Sequence, residues 1–114
     1  MQVISKSRRL HRTDFLAVQK LGRKIRTPNL SLIYYQRITN NEQPARFAIV
    51  TSSKFHKRAV VRNRFRRKIY NLLNTSPLAL RNDIILHPSR TMLNLTDAEI
   101  AALLDTVLSK IPLI

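Results

Sequence analysis

Residues 57–74, KRAVVRNRFRRKIYNLLN, carry seven Lys or Arg residues and no acid. At about 100° per residue, the large apolar side chains of this segment fall on one side of a helix. They span about 120° of arc and comprise Val61, Phe65, Ile69, Leu72 and Leu73. Such a stripe needs a second layer to cover it, and we predict that it packs on a β-sheet. Unopposed cations at i,i+4 spacing would destabilise a lone helix, so we predict that their counter-charge lies on another molecule.

The cations are concentrated in the first part of the chain. Residues 1–70 hold 18 of the 21 Lys and Arg residues with only Asp14 and Glu42 as acids, whereas residues 71–114 hold 3 bases and 4 acids. A compact chain with a net charge of +15 repels itself unless a polyanion neutralises it, and nucleic acid is the usual polyanion. An anionic membrane is the rival partner, but it needs a broad exposed apolar face, whereas the apolar positions here are needed for the core. We therefore predict a nucleic-acid partner and no membrane.

Two further helices flank this basic segment. The first is predicted roughly over 13–21, because Asp14 is typical of a first turn and apolar residues follow at helical spacing. Gly22, the only glycine of the chain, is predicted to end it with a positive φ. The segment LTDAE at 95–99 is a capping box, and it predicts a last helix whose apolar face continues until Pro112.

Strand-like segments are rich in β-branched and aromatic residues. They are predicted at 23–27, 30–37, 45–52 and 83–87. The polar loop at 38–44 predicts that the second and third strands form a hairpin. The resulting order, α-β-β-β-α-β-α, predicts one α+β domain over residues 1–114, a single-domain α/β sandwich in which helices cover a small sheet.

Candidate catalytic residues are scarce. An enzyme that works through its own side chains should show a constellation of them. A single glycine excludes a Gly-rich phosphate loop, and His11, His56 and His87 lack the spacing of a zinc site. Three of the six acids lie in predicted first turns, so too few remain to converge in a two-metal nuclease. We predict no catalytic residue and no metal site in the protein, and the absence of cysteine fits a reducing cytoplasm.

The string AVVRNRFRR at 59–67, preceded by TSSK, resembles the signature of the bacterial ribonuclease P protein subunit, whose second helix carries Arg-Asn-Arg followed by further bases. RLHRTDFLAV at 9–18 is similar to the N-terminal segment of that family, and the elements follow in the family's order over almost the whole chain. The resemblance implies an α/β sandwich with a left-handed βαβ crossover, an exception to the usual right-handed rule.

Members of that family bind a large catalytic RNA and, together with it, remove the 5′ leader from precursor tRNA. The RNA performs the hydrolysis with Mg²⁺, which it mainly holds itself. The resemblance therefore implies a non-catalytic component of the cytoplasmic ribonuclease P holoenzyme, with ribonuclease P RNA and precursor tRNA as partners. A small structural RNA-binding protein, such as a ribosomal component, is the alternative that the charge alone would permit.

Site residues follow from the same resemblance and from the run of cations around its motif. The predicted RNA-binding set comprises Lys54, Arg58, Arg62, Asn63, Arg64, Arg66, Arg67 and Lys68. The resemblance implies a leader cleft between the first helix and the sheet, with Phe15, Tyr34 and Tyr35 as candidates. Strand alternation places one tyrosine on each face of the sheet, and which of them faces the cleft stays open. Phe15 could equally pack in the core, and Asn63 could be a plain surface residue; Phe55 departs from the family, which often has a second Lys there.

Overall fold

A computed structural model describes residues 10–36, 46–74 and 82–111 of the chain. Its elements are α1 (Arg12–Leu21), β1 (Arg23–Arg26), β2 (Leu30–Gln36), β3 (Arg46–Ile49), α2 (Ala59–Asn74), β4 (Asn82–Pro88), a 3₁₀-helix (Arg90–Asn94) and α3 (Asp97–Leu108). The predicted α+β order is confirmed, and the 3₁₀-helix between β4 and α3 is an addition that the sequence patterns did not predict. Each helix in these three segments is too short or too polar to span a bilayer.

The four strands of the described residues form one mixed sheet in the order β1-β2-β4-β3. β2 pairs antiparallel with β1 and with β4, whereas β3 pairs parallel with β4. The predicted hairpin between β2 and β3 is wrong, because β4 lies between them; the loop at 38–44 is outside the described residues. The side chains of β4 from Asn82 to Leu86 are all buried, which is typical of a central strand and explains why it separates the two.

Parallel neighbours need a crossover connection, and α2 supplies it between β3 and β4. The βαβ unit implied by the family resemblance is therefore present in the topology. The left-handed sense of that crossover stays a prediction.

The larger core lies between the sheet and the helices α2 and α3. Phe65, Ile69 and Leu73 of α2 are each at most 4% exposed, and they share one apolar cluster with the strand residues Phe47 and Ile84. The predicted stripe of α2 is thus confirmed at its centre. It also fixes the orientation of α2, because its cations must lie on the side turned away from the sheet.

The opposite face of the sheet carries α1 and a smaller core. Val18 of α1 packs there with Ile33 and Ile85, and Phe15 and Tyr35 lie against the same cluster. α1 begins one residue earlier than predicted and has no side-chain cap at its N-terminus. The sheet is therefore covered on both faces, and the two faces carry helices with different roles.

The predicted role of Gly22 is wrong in its physical reason. Gly22 has φ of −74° and ψ of 164°, which is extended backbone that any residue adopts. A Cβ atom at this position would lie 2.5 Å from the Val18 carbonyl oxygen and 2.8 Å from that of Tyr34. Glycine is needed here because the end of α1 approaches β2 too closely for any side chain.

The capping box that begins α3 is confirmed. The Thr96 hydroxyl oxygen accepts the backbone N–H of Glu99 at 3.2 Å, and the Glu99 carboxylate accepts the backbone N–H of Thr96 at 2.9 Å. The backbone hydrogen bond from Thr96 is the main cause that lowers the pKa of Glu99. α3 itself ends at Leu108, before the predicted boundary at Pro112, which lies outside the described residues.

Candidate nucleic-acid interface

The outer surface of α2 presents arginines that the protein does not use internally. Arg64 and Arg67 are exposed, and in the part of the chain that the structure describes neither side chain has a hydrogen-bond or ion-pair partner. α2 has no acid in its first turn, or anywhere in its sequence. These two guanidinium groups are therefore available to an external anion.

Arg62 has a different environment, although it belongs to the same motif. It is half-buried, and its Nη1 atom donates to the carbonyl oxygen of His56 at 2.7 Å and to that of Lys57 at 3.2 Å. A charged donor to two carbonyls braces the turn that precedes α2. Sequence reasoning placed Arg62 among the contact residues, and the structure shows that its Nη1 atom is already engaged by the protein.

Asn63 is paired with a neighbouring cation of the helix. Arg66 donates from Nη2 to the Asn63 side-chain oxygen, one turn back along α2. Because that oxygen is engaged, the amide nitrogen of Asn63 is the group left to donate outward. Of the two interpretations of Asn63, a plain surface residue or an amide that orders its neighbours, the geometry favours the second.

Lys68 is partly neutralised by an acid on another helix. Its Nζ atom lies 3.1 Å from Oδ1 of Asp97 in the first turn of α3, and the two side chains are 40% and 71% exposed. A pair as exposed as this contributes about 0–1 kcal/mol to stability. The sequence explained Asp97 by the helix dipole alone, since no local pattern reveals which helix lies beside α3.

The turn between β3 and α2 is held in place by an aromatic pair and backbone bonds. The rings of Phe55 and Phe65 are 4.8 Å apart at 48°, and Phe55 is 4% exposed. The backbone N–H of Phe55 bonds to the Ser52 carbonyl at 2.9 Å, and that of Arg58 bonds to Nδ1 of His56 at 3.0 Å. Phe55, which stands where the family often has a second Lys, therefore packs in the core and holds this turn against α2. It fixes a turn on which the cations of Lys54, Lys57 and Arg58 are exposed.

The candidate cleft residues are divided between the two faces of the sheet. Phe15 and Tyr35 lie together on the α1 face, both partly buried against the smaller core. Tyr34 points to the opposite face, where it packs against the larger core. The alternation predicted from the sequence is confirmed, and it leaves Tyr35 as the tyrosine beside α1. Tyr34 reaches the α1 end of the sheet only where it lines, together with Tyr35, a hollow bordered by Leu21 at the end of α1.

A cationic hollow continues the α1 face beyond the helix. It is lined by Lys24 and Arg26 of β1, Ser31 of β2 and His87 of β4, which the strand register places in neighbouring positions. Burial, and then the charge of Lys24, lowers the pKa of His87, so this ring is neutral at pH 7. Sequence reasoning missed the two cations of β1. Lys24 and Arg26 are two residues apart, which places both on one face of β1. Only the β1–β2 register shows that this is the face that carries Ser31.

A second hollow connects this face with the turn before α2. It is lined among others by Ser52, Lys54, His87 and Arg90. His87 thus borders both hollows, and Lys54 stands between the cleft face and the exposed cations of the turn. Arg90, the first residue of the unpredicted 3₁₀-helix, was also missed. Because the two hollows share His87, cationic side chains lie along this face from Lys24 and Arg26 of β1 to Lys54 before α2.

A charged network ties α1 to the sheet next to Tyr35. Arg46 of β3 donates from Nε and Nη2 to the two carboxylate oxygens of Asp83 at 2.9 and 2.7 Å, and from Nη1 to Oδ2 of Asp14 at 3.0 Å. The hydrogen bond to Asp83 is the main cause that raises the pKa of Arg46. The sequence explained Asp14 by the dipole of α1 only, because its partners are distant in the chain. Within the described segments, no group of three or more His, Cys, Asp or Glu side chains could hold a metal ion.

Comparison with known proteins places this arrangement in a family. The model of the ribonuclease P family matches residues 4–112. The ribonuclease P protein component of Synechococcus elongatus is 48% identical over 63 residues, which are 54% of this chain and 52% of that protein. That of Microcystis aeruginosa is 42% identical over 60 residues, which are 52% of this chain and 50% of that protein. The chain thus spans about half the length of the curated relatives it matches.

Solved structures share the fold. The RNase P protein from Thermotoga maritima superimposes with a TM-score of 0.80 at 21% identity, covering 91% of this chain and 97% of that one. The RNase P protein of Staphylococcus aureus gives a TM-score of 0.73 at 23% identity, covering 92% and 94%. At these identities the likeness is one of architecture.

Proposed function

The chain belongs to the ribonuclease P family, and from that premise we propose that it is the protein subunit of the RNA-based enzyme that removes the 5′ leader from precursor tRNA in the cytoplasm. The observation that carries the proposal is the outer surface of α2, where Arg64 and Arg67 are exposed and unpaired within the described residues. A helix that keeps such cations without acids is suited to bind a polyanion.

α2 binds the ribonuclease P RNA. The planar guanidinium of arginine matches two phosphate oxygens at once, so Arg64 and Arg67 neutralise RNA phosphates. Asn63, whose oxygen already accepts from Arg66, offers its amide nitrogen to a phosphate oxygen or a 2′-hydroxyl. Arg62 braces the preceding turn and so supports the cations presented there.

The α1 face binds the 5′ leader as single-stranded RNA. Such strands are held by basic grooves that follow the backbone and by aromatic rings on which bases stack. Phe15 and Tyr35 are the rings available on this face, and Lys24 and Arg26 lie in the hollow beyond them. The neutral ring of His87 lies in the same hollow and offers a flat surface and one hydrogen-bond donor.

The two binding surfaces lie on opposite faces of the sheet, and they meet at the turn that precedes α2. Lys54 and Arg90 border the hollow between them. One rigid domain can therefore hold the catalytic RNA on α2 and the leader on the α1 face at the same time. This arrangement improves capture of precursor tRNA without requiring a catalytic group in the protein.

Hydrolysis is assigned to the RNA. Mg²⁺ bound by the RNA would supply the activation of the attacking water and the stabilisation of charge on the leaving oxygen. The exposed surface of α2 offers nitrogen donors and no carboxylate, a donor set that does not suit this cation. The ion is accordingly held mainly by RNA oxygens, and the part of this chain lies in binding and orientation.

Reconstitution tests the proposal. The purified chain is added to a ribonuclease P RNA at a low Mg²⁺ concentration, and processing of precursor tRNA at the 5′ end is measured. We expect cleavage that requires both components. RNA binding without any stimulation of cleavage would instead favour a structural RNA-binding protein such as a ribosomal component, and cleavage by the protein alone would contradict the assignment of chemistry to the RNA.

A further inference from the structure

We infer that the contact between Asp14 and Arg46 positions α1 over the sheet and thereby sets the geometry of the leader cleft. The inference rests on the proposed function, because it assigns a positioning residue to the leader site of that same enzyme. It concerns residues that the sequence connected neither to each other nor to RNA.

The Arg46 side chain is fixed by Asp83 of the sheet, independently of its contact with α1. It stands directly opposite Asp83 in the parallel β3–β4 pair, and its Nε and Nη2 atoms bond to both oxygens of that carboxylate. The Asp83 side chain is 5% exposed and that of Arg46 is 18% exposed, so neither has much freedom to move. The remaining nitrogen, Nη1, is thus presented at a fixed point, and Asp14 of α1 accepts from it at 3.0 Å.

At its N-terminal end, α1 packs on the smaller core through the partly buried side chains of Leu10 and Phe15, and the contact of Asp14 with Arg46 adds a charged hydrogen bond there. A helix of ten residues is marginal by itself. Val18 is its buried residue, and at its N-terminus His11 provides no side-chain cap. Before the helix, the Leu10 N–H donates to the Phe47 carbonyl at 2.9 Å, and the Leu10 side chain packs against the smaller core. The close packing at Gly22 fixes the other end.

The cleft aromatic follows Asp14 directly in the chain. Phe15 packs on the α1 face of the sheet together with Tyr35, and Tyr35 is paired in register with Asp83. The charged network and the two rings therefore share one end of the cleft. When Asp14 loses its contact with Arg46, the first turn of α1 can shift and displace Phe15 from Tyr35.

Charge alone predicts the opposite effect, which makes the inference testable. Asp14→Asn removes an acid from a chain with a net charge of +15, so simple electrostatics predicts tighter RNA binding. The positioning role predicts weaker binding of the leader instead. Asp105→Asn is the matched control, because Asp105 is an exposed acid on α3 whose loss changes the net charge equally.

The experiment uses the reconstituted holoenzyme with precursor tRNA that carries a leader and with the same tRNA without one. The ratio of the two affinities measures leader binding, and the affinity of each variant for the RNA subunit is measured separately. For Asp14→Asn we expect the ratio to fall by about threefold to tenfold, with the affinity for the RNA subunit unchanged or slightly higher. Asp105→Asn should leave the ratio unchanged, and Asp14→Glu should restore most of it.

Arg46→Lys provides a second variant, since an ammonium keeps the charge but cannot bond both carboxylates in the same geometry. It should lower the ratio as well. An unchanged ratio in Asp14→Asn would overturn the inference, and so would an equal loss of leader and RNA-subunit affinity, which is what a general loosening of the fold predicts. If the wild-type holoenzyme bound precursor tRNA equally well with and without the leader, the proposed leader function itself would be overturned. That result differs from the two outcomes that would overturn only the role of Asp14.

Discussion

Replacing Arg64 and Arg67 together by alanine should lower RNA affinity without lowering the stability of the fold. Each phosphate contact contributes about −0.9 to the slope of log affinity against log salt. At about 0.1 M salt this corresponds to about an eightfold loss of affinity for each contact removed, or about sixtyfold for the pair. The slope itself should become less steep by about 1.8. Both side chains are exposed and unpaired among the described residues, so the free energy of unfolding should change by less than about 0.5 kcal/mol.

The assay is equilibrium binding to ribonuclease P RNA over a series of salt concentrations, combined with urea unfolding followed by circular dichroism. Arg62→Ala is the matched control, because it removes an arginine from the same helix whose Nη1 atom bonds to two carbonyls. It should lower the free energy of unfolding by about 1–2 kcal/mol and change the salt slope less than Arg64→Ala does. An unchanged slope in the double variant would refute contact by these residues. The bracing role of Arg62 would be refuted if Arg62→Ala reduced the salt slope as much as Arg64→Ala does and left the free energy of unfolding unchanged.

Three further variants or conditions test other parts of the molecule. Gly22→Ala should lower the free energy of unfolding by about 1–3 kcal/mol in thermal denaturation, because its Cβ would lie 2.5 Å from the backbone oxygen of Val18. Asp97→Asn should raise RNA affinity by up to about threefold at low salt, because it releases Lys68 from its ion pair. An RNA affinity below that of the unchanged protein would contradict contact by Lys68. Because the pKa of His87 is lowered in the folded protein, the unfolded chain binds a proton at this residue more readily. The free energy of unfolding should therefore fall as pH drops through about 6.5. His87→Gln should remove this contribution to the pH dependence of stability.

The sequence predicted those helical features that depend on residues close together in the chain. The stripe of α2, with Phe65 and Ile69 at its centre, and the capping box at Thr96 and Glu99 depend on spacings of three and four residues, and both are present as predicted. The pairing of strands depends on residues far apart in the chain. The hairpin prediction failed for that reason, since the apolar pattern at 83–87 indicated a buried strand but not which strands lie beside it.

The same limit applies to the candidate site. The alternation of Tyr34 and Tyr35 was readable, but which face carries α1 was not, because that depends on how the whole chain closes. The sequence grouped the cations of α2 as an RNA-binding set, which stays a prediction; the structure shows Arg64 and Arg67 exposed. The individual roles of these cations were not separable from the sequence, since Lys68 meets an acid of another helix and Arg62 meets carbonyls of a turn.

The parallel β3–β4 pair keeps the two proposed RNA surfaces of this small domain in a fixed relation. At one end of the pair, Asp83 lies in register with both Arg46 and Tyr35, so the network that holds α1 is built into the sheet beside the cleft. At the other end, β3 leads into the turn at 52–58 and β4 carries His87, where the cleft face reaches the cations before α2. A change that disrupts the backbone pairing of β3 with β4 should therefore disturb both proposed surfaces, whereas a side-chain change in α1 or at Arg46 should disturb the proposed leader cleft alone.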